Sequence, residues 1–333
     1  MTAQAIFYRL FRWQLSCILA ILFLTGAVHC AEPQVNLLVL GDWGIGTPAQ
    51  NAVAKAMVTY VGRNRVKLDA VLLLGDNFYV DLAGGVNDPY WKKLFEQMYN
   101  PNRLAVPFYA VLGNHDHEDN KAQIELDYAG QHPKSRFKLP NLWYRIDMPK
   151  DRSLVSLIAL DSEQGALGAE SWAVQSHWLE TELSKPQSAH WTVCFAHRPL
   201  FSNSAHGDDP ALQKEWGTLL KKYKVDFYLA GHDHALEHLQ IPDWPTSFIV
   251  SGGGGNSTYE IERHDREKFA RSEHGFVHMQ FTADTVRVSF IDKDAKVLYI
   301  FERNRQGDVK VLLGDRTPMR EELFGMRDCD GAP

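Results

Sequence analysis

Between residues 34 and 303 the chain repeats one short pattern: an apolar run that closes on Asp, Asn or His, mostly behind a small residue. The runs are Val35–Leu40, Ala70–Leu74, Pro107–Leu112, Leu154–Leu160, Trp191–Ala196 and Val225–Ala230. Rich in Val, Leu and Phe and lacking alternation, they predict strands buried on both faces. Helical patterns lie between several of them. Thr47-Pro48 offers an N-cap and a first-turn proline, Val53, Met57 and Val61 share one face, and Gly62 ends the segment. Asp88-Pro89 repeats that opening before Trp91, Leu94, Phe95 and Met98, and Leu212, Trp216, Leu219 and Tyr223 form a third stripe. Such stripes are read as core packing. Further on, Phe276–Phe281, Thr285–Ile291 and Val297–Glu302 alternate and are separated by polar turns such as Asp292–Lys296, which predicts antiparallel strands with one wetter face. The sum is an α/β chain, a layered sandwich of two mixed β-sheets flanked by helices. One domain is expected over residues 32–305, with residues 306–333 as a polar tail draped on the surface.

The N-terminus stands apart. Residues 1–31 place Arg9 and Arg12 before an apolar run from Trp13 to Val28 and a small-residue end at Ala31, the layout of a cleaved signal peptide. That run, about 16 residues, is short of the roughly 20 a membrane span needs. The expected product is secreted or periplasmic and free of the membrane after cleavage beyond Cys30 or Ala31. The leader holds two basic residues and no acidic one, so its loss takes the formal charge from −6 to −8. An acidic chain does not read as a nucleic-acid binder, and attraction to an anionic substrate must then be local, with bound metal ions as its source. Cys17 and Cys30 fall in the leader; Cys194 and Cys329 remain, too few for a thiolate metal cluster, and their pairing is left open because sequence gives no geometry.

Ligands of α/β sheets gather beyond the carboxyl ends of strands, and this chain puts its ligand-type residues there. Five runs lead into Gly41-Asp42-Trp43-Gly44, Gly75-Asp76-Asn77-Phe78-Tyr79, Gly113-Asn114-His115-Asp116-His117, Ala196-His197-Arg198-Pro199 and Gly231-His232-Asp233-His234. A single Gly-Asp after a strand is an ordinary turn; five such loops together are not. Carboxylate, amide, imidazole and phenol oxygens and nitrogens, with no thiolate, suit iron, zinc or manganese. Seven candidates exceed the three or four ligands of one ion, whereas two ions sharing a carboxylate use them all. His232 and His234, one residue apart, point in diverging directions and can each serve a different ion. Gly252–Gly255 lacks a following Lys-Ser/Thr helix, so it is read as a close-packed turn near the site and not a nucleotide loop.

These five blocks, in this order over roughly residues 34–300, resemble the calcineurin-like metallophosphoesterases and, within them, the purple acid phosphatases. With His117 and Ala122-Gln123-Ile124 the chain is most similar to the small mammalian-type, tartrate-resistant enzymes. In the wider superfamily the first motif is Asp-x-His; here Gly44 takes the His position and Tyr79 stands three residues after Asp76. By that resemblance Asp42, Tyr79 and His234 hold Fe(III), Asn114, His197 and His232 hold a divalent ion (Fe, Zn or Mn), and Asp76 bridges. It further implies that His115 faces the substrate phosphate and that His206 lies over the site. The family's Glu beside that histidine is here Ala205, which weakens the expectation of an acidic pH optimum. The expected activity is acid phosphatase: hydrolysis of small phosphomonoesters by metal-activated hydroxide, carried out by a monomer. A phosphodiesterase or nucleotide hydrolase of the same superfamily is the alternative. A binding protein with a degenerate site would lack ligands, and none of the seven is missing.

Overall fold

The computed structural model describes residues 32–314, apart from 152, 187 and 188. The leader and Cys329 lie outside the described residues.

The apolar runs become strands buried along nearly their whole length. β1 (Val35–Leu40), β2 (Ala70–Leu74), β3 (Phe108–Val111) and the short β4 (Phe137–Lys138) pair side by side in parallel. α1 (Pro48–Arg63) connects the first two, and α2 (Lys121–Gln131) lies between β3 and β4 in the chain. The Thr47 hydroxyl oxygen caps α1 by accepting from Gln50 N at 3.2 Å and donates its own proton to Gly255 O at 2.6 Å, tying the helix start to the glycine run.

A second sheet follows. It comprises β5 (Tyr144–Met148), β6 (Val155–Ala159), β7 (Trp191–Phe195), β8 (Phe227–Ala230), β9 (Leu236–Leu239), β10 (Ser247–Ser251) and β11 (Glu267–Arg271), ordered β11-β9-β10-β8-β7-β6-β5. Its centre, β6, β7, β8 and β10, is parallel; β5 and β9 flank it antiparallel, and β11 pairs antiparallel with β9. The chain then returns to the first sheet as β12 (Gly275–Phe281), antiparallel to β1, and extends it through β13 (Thr285–Asp292) and β14 (Val297–Asn304).

Side-chain alternation in the second sheet explains the layers. Leu157, Val193, Phe227 and Leu229 enter the core shared with β1–β3, while Ile158, Cys194, Tyr228 and Ala230 enter a second core. That outer core includes Trp172 and Leu179 of α3 (Gln164–Ser184) and Trp216 of α4 (Pro210–Lys222), with the two indoles stacked 4.9 Å apart. Each such buried side chain contributes about 1.5–3 kcal/mol, which is why polar positions inside these runs are few, and Asn36 and Ser156 are hydrogen-bonded where they occur. Cys194 is a free, buried thiol of the outer core, its pKa raised by burial.

Two local expectations change. The Asp88-Pro89 opening leads to one wide turn, Trp91–Glu96, closed by Gln97 N to Lys92 O at 2.9 Å, and not to an α-helix. Gln50 Nε2 donates to Leu94 O at 2.9 Å and occupies an acceptor that a continuing α-helix would use. The segment after Arg305 is not all surface tail. Gly307, at φ +92°, helps reverse the chain, and Val309–Leu313 pairs with β14 as β15. Among the described residues no helix is long and apolar enough to cross a membrane.

Candidate metal centre

The parallel strands of the two sheets deliver their carboxyl ends to one edge. β1, β2 and β3 of the first sheet bring Asp42, Asp76 and Asn114, and β7 and β8 of the second bring His197 and the His232–His234 turn. The turns are laced by backbone bonds: Asp42 N donates to Gly75 O at 3.1 Å and Gly231 N to His197 O at 2.9 Å. Asp42, Asp76 and His232 all adopt left-handed φ values of 60°, 48° and 65°. That conformation costs a non-glycine residue roughly 1–3 kcal/mol and persists where the surroundings impose it, commonly at functional sites. The glycine run closes over these turns. A Cβ on Gly252 would lie 2.2 Å from Asp233 O and 2.8 Å from Asp42 Oδ2, so only glycine permits the approach.

Two donor clusters result. In the first, Tyr79 OH lies 3.2 Å from Asp42 Oδ1 and 3.1 Å from His234 Nε2, with His234 Nε2 3.3 Å from Asp42 Oδ1. Donor atoms of Asp42, Asp76 and His234 fall within 4.8 Å of one another. In the second, His197 Nε2 lies 3.1 Å from Asn114 Oδ1, 3.2 Å from His232 Nδ1 and 3.4 Å from Asp76 Oδ1. Asp76 is common to both. The structure therefore brings together all seven residues singled out from the sequence, and it gives His232 and His234 different clusters through different ring nitrogens. His197 Nδ1 donates to Leu74 O at 2.9 Å and His234 Nδ1 to Ser257 O at 2.7 Å. Each carbonyl fixes the tautomer that leaves Nε2 as a lone-pair donor toward its cluster.

The electrostatics fit cations. Asp42 is fully buried and Asp76 nearly so. Burial opposes protonation of His197, yet Asp76 and Asp42 outweigh it and lift the imidazole to about 9. Burial raises the Tyr79 phenol, and Asp42 and Asp76 raise it further, so a phenolate there needs a strong positive charge beside it. A hard, oxygen-rich, buried donor set of this kind suits iron, zinc or manganese ions.

The surrounding groups set these ligands in place. Asp116, fully buried, accepts from Asn77 N (2.8 Å), Phe78 N (3.0 Å) and Gly113 N (2.8 Å), clamping the Asp76 turn to the Asn114 turn. Burial and then Asp76 push its carboxyl up to about 6, against the pull of those N–H groups. His115 donates its backbone N–H to Asp76 Oδ1 at 3.0 Å, and its Nδ1 donates to Glu118 Oε2 at 3.1 Å, which leaves Nε2 to other partners. His206 donates from both its backbone N (3.0 Å) and its Nδ1 (2.8 Å) to Asp233 Oδ1, and its ring stacks on His232 at 4.0 Å. It is thus held beside the second cluster by a carboxylate, with its side chain 44% exposed.

Sequence reasoning passed over one strand end. The run Leu154–Leu160 also closes on an aspartate, and Asp161-Ser162-Glu163 joins the rim. Asp161 Oδ2 accepts from His117 Nε2 at 2.9 Å, Ser162 Oγ accepts from Arg198 N at 2.9 Å, and Glu163 holds the Arg198 guanidinium. The signal was the same pattern that marked the other five.

The model of the calcineurin-like phosphoesterase family matches residues 35–236. The chain is 27% identical to human tartrate-resistant acid phosphatase type 5, the match covering 86% of this chain and 96% of that protein. It is 26% identical to purple acid phosphatase 17 of Arabidopsis thaliana over 83% of this chain and 86% of that protein. Among solved structures it is similar to GAP50, the anchor in the inner membrane complex of Plasmodium, with a TM-score of 0.72 and 25% identity over 81% of this chain and 89% of that one.

Proposed function

The chain belongs to the calcineurin-like phosphoesterase family and is a metallophosphatase of the acid phosphatase type, and from that premise we propose an exported enzyme that hydrolyses small phosphomonoesters at a two-metal centre. The observation that carries this reading is the pair of clusters meeting at Asp76, whose carboxylate lies within reach of both. Asp42, Tyr79 and His234 would hold Fe(III), Asn114, His197 and His232 a divalent ion of iron, zinc or manganese, and Asp76 both. Ions bound there would polarise the phosphoryl oxygens and lower the pKa of a water molecule to make the nucleophile.

The chain's own groups do the rest. His115, anchored through Glu118, offers Nε2 to a phosphoryl oxygen and so stabilises charge that grows in the transition state. His206 keeps its Nδ1 proton on Asp233, which leaves Nε2 to carry a proton toward the departing alkoxide. Export rests on the leader read in residues 1–31.

The deciding experiment is Asp76→Asn with metal analysis and a phosphatase assay. A shared carboxylate made neutral should cost at least one ion per chain and nearly all turnover. Full metal content and activity in the variant would sink the two-metal assignment.

A further inference from the structure

The loop that carries His206 is held by polar bonds. Residues 202–208 run from Phe201, buried in the outer core, to Asp209, the cap of α4, and Asp209 N closes the neck by donating to Leu200 O at 3.2 Å. Between these points no apolar side chain is buried: Ala205 is exposed, and the buried members are Ser202, Asn203 and Ser204. His206 sits at the tip, in a turn closed by Gly207 N to Ser204 O at 3.1 Å. Two cavities adjoin the loop and share Gly207 and Asp208 in their linings. One, of about 280 Å³, includes His206 and His232; the other, of about 510 Å³, includes Ser202 and Asn203. A segment bordered by cavities and lacking an apolar anchor opens readily unless its polar bonds restrain it.

One guanidinium grips both stems of that loop. Arg266 Nε donates to Asn203 Oδ1 at 2.8 Å and Nη2 to Ser202 O at 2.8 Å, which fixes the incoming stem. Nη1 and Nη2 donate to the Asp208 carboxylate at 2.8 and 2.7 Å, which fixes the outgoing one. A planar fork suits this double grip, and the point charge of a lysine does not reproduce it. Arg266 is itself anchored, since its carbonyl accepts from Gln240 N at 3.0 Å just past β9, the strand that begins two residues after His234. Other braces act before His206. Glu237 accepts from Ser202 Oγ and Asn203 N, and Glu267 accepts from Asn203 Nδ2 at 2.7 Å. Among the described residues the Asp208 carboxylate meets only Arg266 and Ser202 N, so the outgoing stem depends on Arg266. Asp233 orients the His206 ring through Oδ1, but only where the loop delivers that ring.

We propose that Arg266 is a positioning residue for His206, clasping both stems of its loop so that the imidazole meets the departing alkoxide in the geometry that proton transfer requires. This rests on the reading of His206 as proton donor given above. Arg266 touches no reacting atom and acts through the loop. A misplacement of about 1 Å in a reacting group can cost about a hundredfold in rate. The cost falls on esters whose leaving group needs a proton and spares those whose leaving group does not.

The test compares wild type, Arg266→Met, Arg266→Lys and His206→Ala as isolated, with metal content measured on each. Steady-state kcat/KM is read with glycerol 2-phosphate, whose alkoxide leaves poorly, and with 4-nitrophenyl phosphate, whose phenolate leaves unaided. Backbone hydrogen exchange is read across residues 202–208. Arg266→Met should speed exchange at His206 and Gly207 at least about tenfold. It should slow the alkyl ester at least about tenfold more than the aryl ester, at unchanged metal content. Arg266→Lys should recover part of both effects. Added to His206→Ala, Arg266→Met should slow neither ester by more than about twofold again, because the position of one group cannot be lost twice. If Arg266→Met does not fold, Asp208→Ala frees the outgoing stem alone and should give the same selective slowing. Unchanged exchange overturns the clasp. Equal slowing of the two esters, or loss of metal, overturns the positioning role when His206→Ala is itself selective. Equal slowing by His206→Ala removes the proton donor instead, and exchange alone then decides the clasp.

Discussion

Tyr79→Phe separates the subgroup from the superfamily, and its consequences follow from the structure. The change deletes one oxygen and keeps the ring, which packs on His115 at 4.7 Å and edge-on to His234 at 6.2 Å. Lost with the oxygen are the contacts to Asp42 Oδ1 at 3.2 Å and to His234 Nε2 at 3.1 Å. A hydrogen bond of this kind contributes about 0.5–1.5 kcal/mol. For a domain of this size that is a fall in melting temperature of roughly 2–4 °C per kcal/mol, so the variant should fold. The spectroscopic effect should be far larger. Burial, Asp42 and Asp76 all hold the phenol protonated, so only a strongly charged ion such as Fe(III) draws out the phenolate. Oxidised wild type should absorb in the visible through phenolate-to-iron charge transfer, and Tyr79→Phe should lose that band while retaining iron. The assay is a visible spectrum with metal analysis and a thermal melt on the same samples. A colourless wild type holding two zinc or manganese ions refutes the ferric assignment and leaves the phosphatase intact. A band that survives Tyr79→Phe refutes the ligand, and Tyr259, stacked on His234 at 4.2 Å, becomes the next candidate.

Two further outcomes are expected. His206→Ala should slow alkyl phosphates at least about tenfold more than aryl phosphates, because only a poor leaving group needs the proton that Asp233 holds His206 in position to give; equal slowing in a steady-state comparison of the two would return His206 to a structural role. Glu237, buried on β9 and accepting from Ser202 Oγ and Asn203 N, is pushed by burial from 4.5 up to about 7. The folded state then keeps a proton that the unfolded state releases, so stability should fall as pH rises from about 4.5 to about 7 and level off above, by up to about 3 kcal/mol. Glu237→Gln stays neutral throughout and should flatten the slope of urea-unfolding free energy across that window; an unchanged slope would assign the effect to other carboxyls such as Asp116.

Much of this protein was legible before any coordinates. Apolar runs such as Val35–Leu40, broken only by Asn36, and Ala70–Leu74 can be satisfied only between two layers, so their burial and their parallel pairing were set by composition. Donor residues behind those runs were bound to share an edge, because parallel strands put like ends together. What the sequence did not carry was which sheet each run joins. β1–β3 and β7–β8 belong to different sheets, and the centre exists only because the sheets pack with their strand ends level. Nor did it carry the weak or irregular elements. α3 mixes Gly165, Gly168 and Ser residues with its apolar ones, and β15 is mostly exposed, so neither has a periodic signature. The rim is the clearest case. Asp161 and Glu163 looked like the ordinary polar residues that follow a strand, and Arg198 like a neighbour of His197. Only packing places Glu163, 35 residues away in sequence, against the Arg198 guanidinium and turns that guanidinium toward His232. Hydrophobic pattern is local and repeats, so a chain displays it; the partner of a charged side chain is fixed by long-range contacts, which the fold alone decides.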